Sequence, residues 1–151
     1  MHPNWLYKNL VEDNLPWDKK SGYRLDDFLN KYTLHDSIWI GIFHHLAYAN
    51  YITLAFKWDS FWLPDEIIER SSQVADWPYL FVQLDKVIEV TTTNFSDIDG
   101  INRAIGSSET IQLEGVTQLA IDDVFGGQVT ISFKGTPSIL ALTAKGSVLR
   151  I

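Results

Sequence analysis

His35, Asp36 and Ser37 stand side by side in the chain: an imidazole, a carboxylate and a hydroxyl, the three side-chain types of a hydrolytic triad. That chemistry needs the carboxylate behind the imidazole and the hydroxyl in front of it. Successive side chains of a strand point to opposite faces, so in an extended segment Asp36 cannot orient His35. No Gly-x-Ser-x-Gly turn occurs elsewhere to present a nucleophile. The residues read better as structural. Asp36 and Ser37 suit capping of backbone N–H groups where the chain enters a strand, and His35 has two ring nitrogens with which to bridge two loops.

The other candidate ligands are scattered. The histidines are His2, His35, His44 and His45. His44 and His45 share a strand end and face opposite ways, and His35 lies about ten residues upstream at roughly 3.3 Å per residue, too far for one ion. The paired acids Asp26-Asp27, Asp65-Glu66 and Asp97/Asp99 read as helix starts, and Asp122-Asp123 as the shoulder of a hairpin. No Walker or dinucleotide-type glycine loop is present. No catalytic residue, metal or cofactor is therefore assigned. The binding candidates are His35, Asp36, Ser37, His44 and His45, together with Trp5 and Trp17.

The elements that must position these residues follow from periodicity. Residues 3–13 predict a short helix with Leu6, Leu10 and Val11 on one side, and 25–31 a second with Leu25, Phe28 and Leu29 apolar. Residues 38–45 form a run apolar on both faces, which predicts a strand at the centre of a sheet. Residues 51–58 return as its hairpin partner, with Ile52, Leu54, Phe56 and Trp58 on the buried face. Residues 59–78 are irregular, apart from a helical turn or two over 64–70. Strand character resumes over 79–92 with a bend at Asp85-Lys86. Ser96 predicts a helix cap for 97–105, with Gly106 as the stop. A meander follows over 110–113, 116–123, 128–134 and 138–143, and 148–151 is placed on an edge. Gly126-Gly127 suits a tight turn.

The fold class expected is α+β: a predominantly antiparallel sheet, curved or sandwich-like, with short N-terminal helices, in one domain over 1–151. Residues 1–31 form a helical leader and 32–151 a β-rich body. At 151 residues the chain is long enough to bury a core without staples, and it has no cysteine to make one. No signal peptide or bilayer-length apolar run is read, so the cytoplasm is the expected location. Lys and Arg number 12 against 19 Asp and Glu, a net charge of -7. That charge repels phosphate backbones and anionic membranes; solubility alone explains a charge of this size, and it also suits a basic protein partner. All six tryptophans precede residue 78. Those at 39, 58, 62 and 77 are expected in the core. Trp5 and Trp17, in a polar leader, are placed against a neighbouring subunit or partner. With the apolar edge at 148–151, they predict a homodimer; the alternative is that the leader folds back and covers that edge within one subunit.

The order Leu34-His35-Asp36-Ser37, apolar strand, return strand, a further strand near Val87 to Val90, then Asn94-Phe95-Ser96 before a meander, resembles small uncharacterised bacterial domains with a Leu-His-Asp-Ser opening. It is loosely similar to immunity proteins of bacterial toxin systems over about residues 32–151. The resemblance implies a β-rich binding domain with no established activity. The function expected is non-enzymatic protein binding. The alternative is a small-molecule-binding module or hydrolytic enzyme with its site near His35 and Asp36.

Overall fold

Alternating apolar side chains build two antiparallel four-stranded sheets in the computed structural model, which describes residues 2–94 and 103–151. The elements are α1 (Asn4–Val11), α2 (Leu25–Lys31), β1 (Ile38–His45), β2 (Tyr51–Lys57), β3 (Tyr79–Asp85), β4 (Val87–Thr93), β5 (Ile105–Leu113), β6 (Val116–Asp123), β7 (Gln128–Phe133) and β8 (Ser138–Leu142). The first sheet runs β1-β2-β3-β8 and the second β4-β7-β6-β5. The α+β class with a dominant antiparallel sheet and short helices is as expected.

The core lies between the sheets. Ile52, Leu54 and Phe56 of β2 and Leu80, Val82 and Leu84 of β3 pack with Leu119, Ile121, Val129, Ile131 and Phe133 of the second sheet. Leu25 and Phe28 of α2 join this cluster together with Trp58. The outer face of the first sheet is also buried. Ala55, Tyr79, Phe81, Leu140 and Leu142 lie beneath Leu6 and Leu10 of α1 and Leu15. The second sheet turns Glu89, Thr91 and Glu109 to solvent. One sheet is thus covered on both faces and the other on one, which explains why β2 and β3 bury residues on both faces while β5 is largely polar.

The chain crosses between sheets at two adjacent corners. Lys86, at φ 51°, turns β3 into β4. Residues 134–137 turn β7 back into β8, and the Lys134 and Gly135 amides donate to the Lys86 and Asp85 carbonyls at 3.1 Å each. A Cβ on Gly135 would lie 2.7 Å from Asp85 Cβ and 2.9 Å from its carbonyl oxygen, so only glycine allows this approach.

Several expectations are corrected. The 38–45/51–58 hairpin forms, with β2 ending at Lys57, but β1 is an edge strand rather than a central one. Its two-sided apolarity has a different cause: Trp39 and Ile42 pack on the inter-sheet core, and Ile40 and Phe43 on the α1 side. Its free edge is met by residues 103–105, where the Trp39 amide donates to Arg103 O and the Ile105 amide to Ser37 O, at 2.9 and 2.7 Å. Residues 148–151 form no strand. Val148 bridges Leu142, and the Leu149 amide donates to Ala141 O along the outer edge of β8. The Ser21 amide donates to Ile139 O on the same edge. Residues 64–70 hold the expected single helical turn, with the Ile67 and Ile68 amides donating to Pro64 O at 3.0 and 3.4 Å. The helix expected over 97–105 falls mostly on 95–102, outside the described residues. Its end does not hold: Ala104 bridges Ile38, Ile105 opens β5, and Gly106 lies inside that strand.

Candidate functional site

The segment from Thr33 to Ser37 is a tight turn, with the strand starting only at Ile38. The Thr33 hydroxyl accepts the His35 amide at 3.0 Å, and the Ser37 amide closes on Leu34 O at 2.9 Å. Asp36 sits at φ 66°, a left-handed conformation that Asp tolerates better than most side chains. Its amide donates to Ile105 O, tying the turn to β5. This geometry overturns the argument from strand alternation. The Asp36 carboxylate reaches back to within 3.0 Å of His35 Nδ1, and both side chains are half-exposed.

Ser37 does not join them. It is fully buried, and its hydroxyl accepts the Asp59 amide at 3.0 Å. It therefore caps a backbone N–H, but on the far loop rather than at the start of its own strand. His35 does not bridge two loops. Its second contact is the edge of Trp62, at a centroid separation of 5.8 Å.

Residues the sequence left as irregular complete the site. Asp59 begins a single 3₁₀ turn, its carboxylate accepting the Phe61 amide at 3.0 Å. That carboxylate is buried, and burial raises its pKa above the ordinary value. The Phe61 amide opposes this, and the negative charge of Asp36 adds to it. Ser60 Oγ accepts the Ser71 amide, and Trp77 Nε1 donates to Ser71 O, so the 60–77 loop is closed on itself. What remains outward is a pair of perpendicular rings, Phe61 and Trp62, with centroids 5.0 Å apart. They stay 59% and 42% exposed. With Asp36, Asp59, Arg70 and Trp77 they line an open depression of about 370 Å³. Arg70 stands over the Phe61 ring at 5.8 Å and pairs with Asp65 at 3.3 Å. Trp58 and Trp77 are core residues, as expected; Trp39 is only half-buried against the core, and Trp62 is exposed.

The remaining candidates lie elsewhere. His44 Nε2 is 2.7 Å from Asn50 Oδ1 at the opposite end of β1, and Asn50 Nδ2 donates to Val87 O. His45 stacks on Tyr51. These histidines secure a hairpin tip and do not meet His35. Trp5 packs edge-on against Tyr79 and over Gly146, and Trp17 lies against the same cluster on the outer face of the first sheet. Both thus make contacts to their own chain. Among the described residues no three His, Asp or Glu gather as metal ligands, and no helix is long and apolar enough to cross a membrane.

The depression can hold a cation: two carboxylates supply charge and the Trp62 ring a quadrupole, while Arg70 already stands over Phe61. The His35-Asp36 pair also has the orientation of a general base, with Asp36 on Nδ1. No protein-family model, curated protein or solved structure matches the chain.

Proposed function

We propose that the chain is a non-enzymatic protein-binding domain whose depression at Phe61 and Trp62 receives a cationic side chain of a basic partner. The carrying observation is the pair of exposed rings beside Asp36 and the buried Asp59. Exposed neighbouring aromatics in a well-closed loop suit a contact surface, and aromatic anchors dominate binding energy. Arg70 over Phe61 illustrates the affinity of this wall for a guanidinium, and Trp62 is left for the partner. A net charge of -7 would steer a basic partner toward the domain. The finer form, in line with the immunity-type resemblance, is neutralisation of a basic toxin by covering its active site.

The test is titration of the isotope-labelled chain with an arginine-rich peptide, followed by NMR. Shifts centred on Asp36, Phe61 and Trp62, lost in Trp62→Ala and absent with a glutamate-rich peptide, support the reading. Shifts spread over all acidic residues alike, or none, refute it.

A second reading rests on the His35-Asp36 pair. With Asp36 on Nδ1 and the His35 side chain half-exposed, Nε2 would be the nitrogen to act as a base for a water molecule. Hydrolysis of activated esters abolished by His35→Ala would favour this alternative over binding alone.

A further inference from the structure

Lys57 ends β2 on the face that α1 covers, and it is only 4% exposed. A buried ammonium is normally paired with a carboxylate, because desolvating it alone is costly. Lys57 has no such pair within 4 Å among the described residues. Its Nζ stands 4.0 Å over the Tyr79 ring and reaches the Ala75 carbonyl at 3.4 Å, a long contact. Three N–H donors are thus served by one ring face and one distant oxygen. The groups around it are few. Tyr79 faces it from β3, His2 from the leader and Asp76 from the turn over 74–76, with Tyr7 lying behind on the His2 ring. Asp76 is engaged by the Ser71 hydroxyl at 3.1 Å.

Beside this ammonium lies a cavity of about 560 Å³. Lys57 and His2 form its polar walls, and Ile38, Val74, Ala75 and Tyr79 its apolar ones. A half-open, largely apolar hollow with one cationic head is complementary to a small organic carboxylate. We propose that this cavity binds a small monocarboxylate with an apolar body, its carboxylate on Lys57 and His2 and its body against Ile38, Val74 and Tyr79. This site lies on the opposite face of the first sheet from the inter-sheet core, and it does not depend on the binding role of the Phe61–Trp62 depression. Burial drives the Lys57 ammonium down to a pKa of about 8, against a weaker opposing pull from Asp76. The carboxylate should therefore be held below that pH and released above it.

The probe is benzoate, titrated into the full chain and followed by NMR shifts, with benzyl alcohol as the neutral counterpart. Expected are saturable shifts at Lys57, Ala75 and Tyr79 near neutral pH, and affinity weakened roughly tenfold or more near pH 9.5, where Lys57 is deprotonated. Lys57→Met should abolish binding while the fold is retained, and Lys134→Met, at the corner after β7, should leave it intact. No saturable shift with benzoate overturns the proposal. So does benzyl alcohol binding equally well, or benzoate affinity unchanged between the two pH values. The last arm uses the unaltered protein, so it decides the matter even if Lys57→Met does not fold.

Discussion

The amide of Asp59 donates to the buried hydroxyl of Ser37 at 3.0 Å, joining the turn before β1 to the loop that carries Phe61 and Trp62. This bond removes the hydroxyl from His35 and fixes the depression at the same time. Ser37→Ala should leave the Asp59 amide unsatisfied in a buried position, at a cost of about 1–3 kcal/mol. Urea unfolding measures the loss. An unchanged midpoint would show that the loop is held by other contacts.

Asp36 holds its left-handed conformation through the backbone as well as through His35. Asp36→Asn should therefore keep the fold nearly intact, because Asn tolerates positive φ. Asp36→Val should cost about 1–2 kcal/mol more, since a β-branched side chain clashes with the carbonyl there. Thermal melts of the two variants side by side provide the comparison. Equal melting temperatures would mean the turn relaxes freely.

The corner at Gly135 has no room for a Cβ, because the obstructing atoms belong to the backbone and Cβ of Asp85. Gly135→Ala should force the two crossovers apart and lower stability by about 1–3 kcal/mol. Calorimetry tests this, and Gly22→Ala, where the added methyl meets nothing within 4 Å, is the control.

Lys57 gives the fold a pH dependence of its own. Its folded pKa, about 8, lies below the ordinary lysine value of 10.5, so between those two pH values the unfolded chain binds more protons than the native one. Stability from this group therefore rises with pH across that window, and the burial cost is fully present below about pH 8. Lys57→Met should raise stability by about 1–3 kcal/mol near pH 7. The gain should shrink toward pH 10. Chemical denaturation of both proteins across pH reads the difference, and a gain that does not vary with pH would contradict the assignment.

Trp5 is seated on Tyr79 and Gly146 of its own chain. Trp5→Ala should lower the melting temperature through lost packing, about 2–4 kcal/mol, and leave the mass seen by light scattering unchanged. A mass that halves on this substitution would return Trp5 to a subunit interface.

Much of the fold was legible in the sequence. Strict alternation marked β2, β6 and β7, and β6 has the expected bounds of 116–123. The residues 25–31 of α2 were marked by apolar spacing and an acidic first turn. The centrality of β1 was misread because apolarity on both faces tells only that both faces are covered. Here the inter-sheet core covers one face and α1 the other, while the strand edge meets Arg103 and Ala104. β5 begins at Ile105 rather than Thr110 because Ser107, Ser108 and Glu109 give no apolar alternation on a half-solvated strand.

The site was less legible. A single positive φ at Asp36 reversed the direction of its side chain, and no composition rule predicts which Asp adopts it. The Asp59-Ser60 pair did carry a capping signal, since Asp before a helical turn is a favoured N-cap. Lys57 was placed opposite the core by alternation, and that face proved to be buried too, under a helix some fifty residues earlier in the chain.

The seat of α1 is assembled from Tyr79 and Phe81 in the middle of the sequence and Leu140 and Leu142 near its end. During synthesis Leu6 and Leu10 emerge first and must wait, without their apolar partners, until β8 has left the ribosome. The helix is too short to persist alone, so it stays unformed through that interval. Closure of the α1 seat is thus a long-range, slow step, and a nascent chain stalled before Leu140 should be cut readily by protease between Asn4 and Leu15.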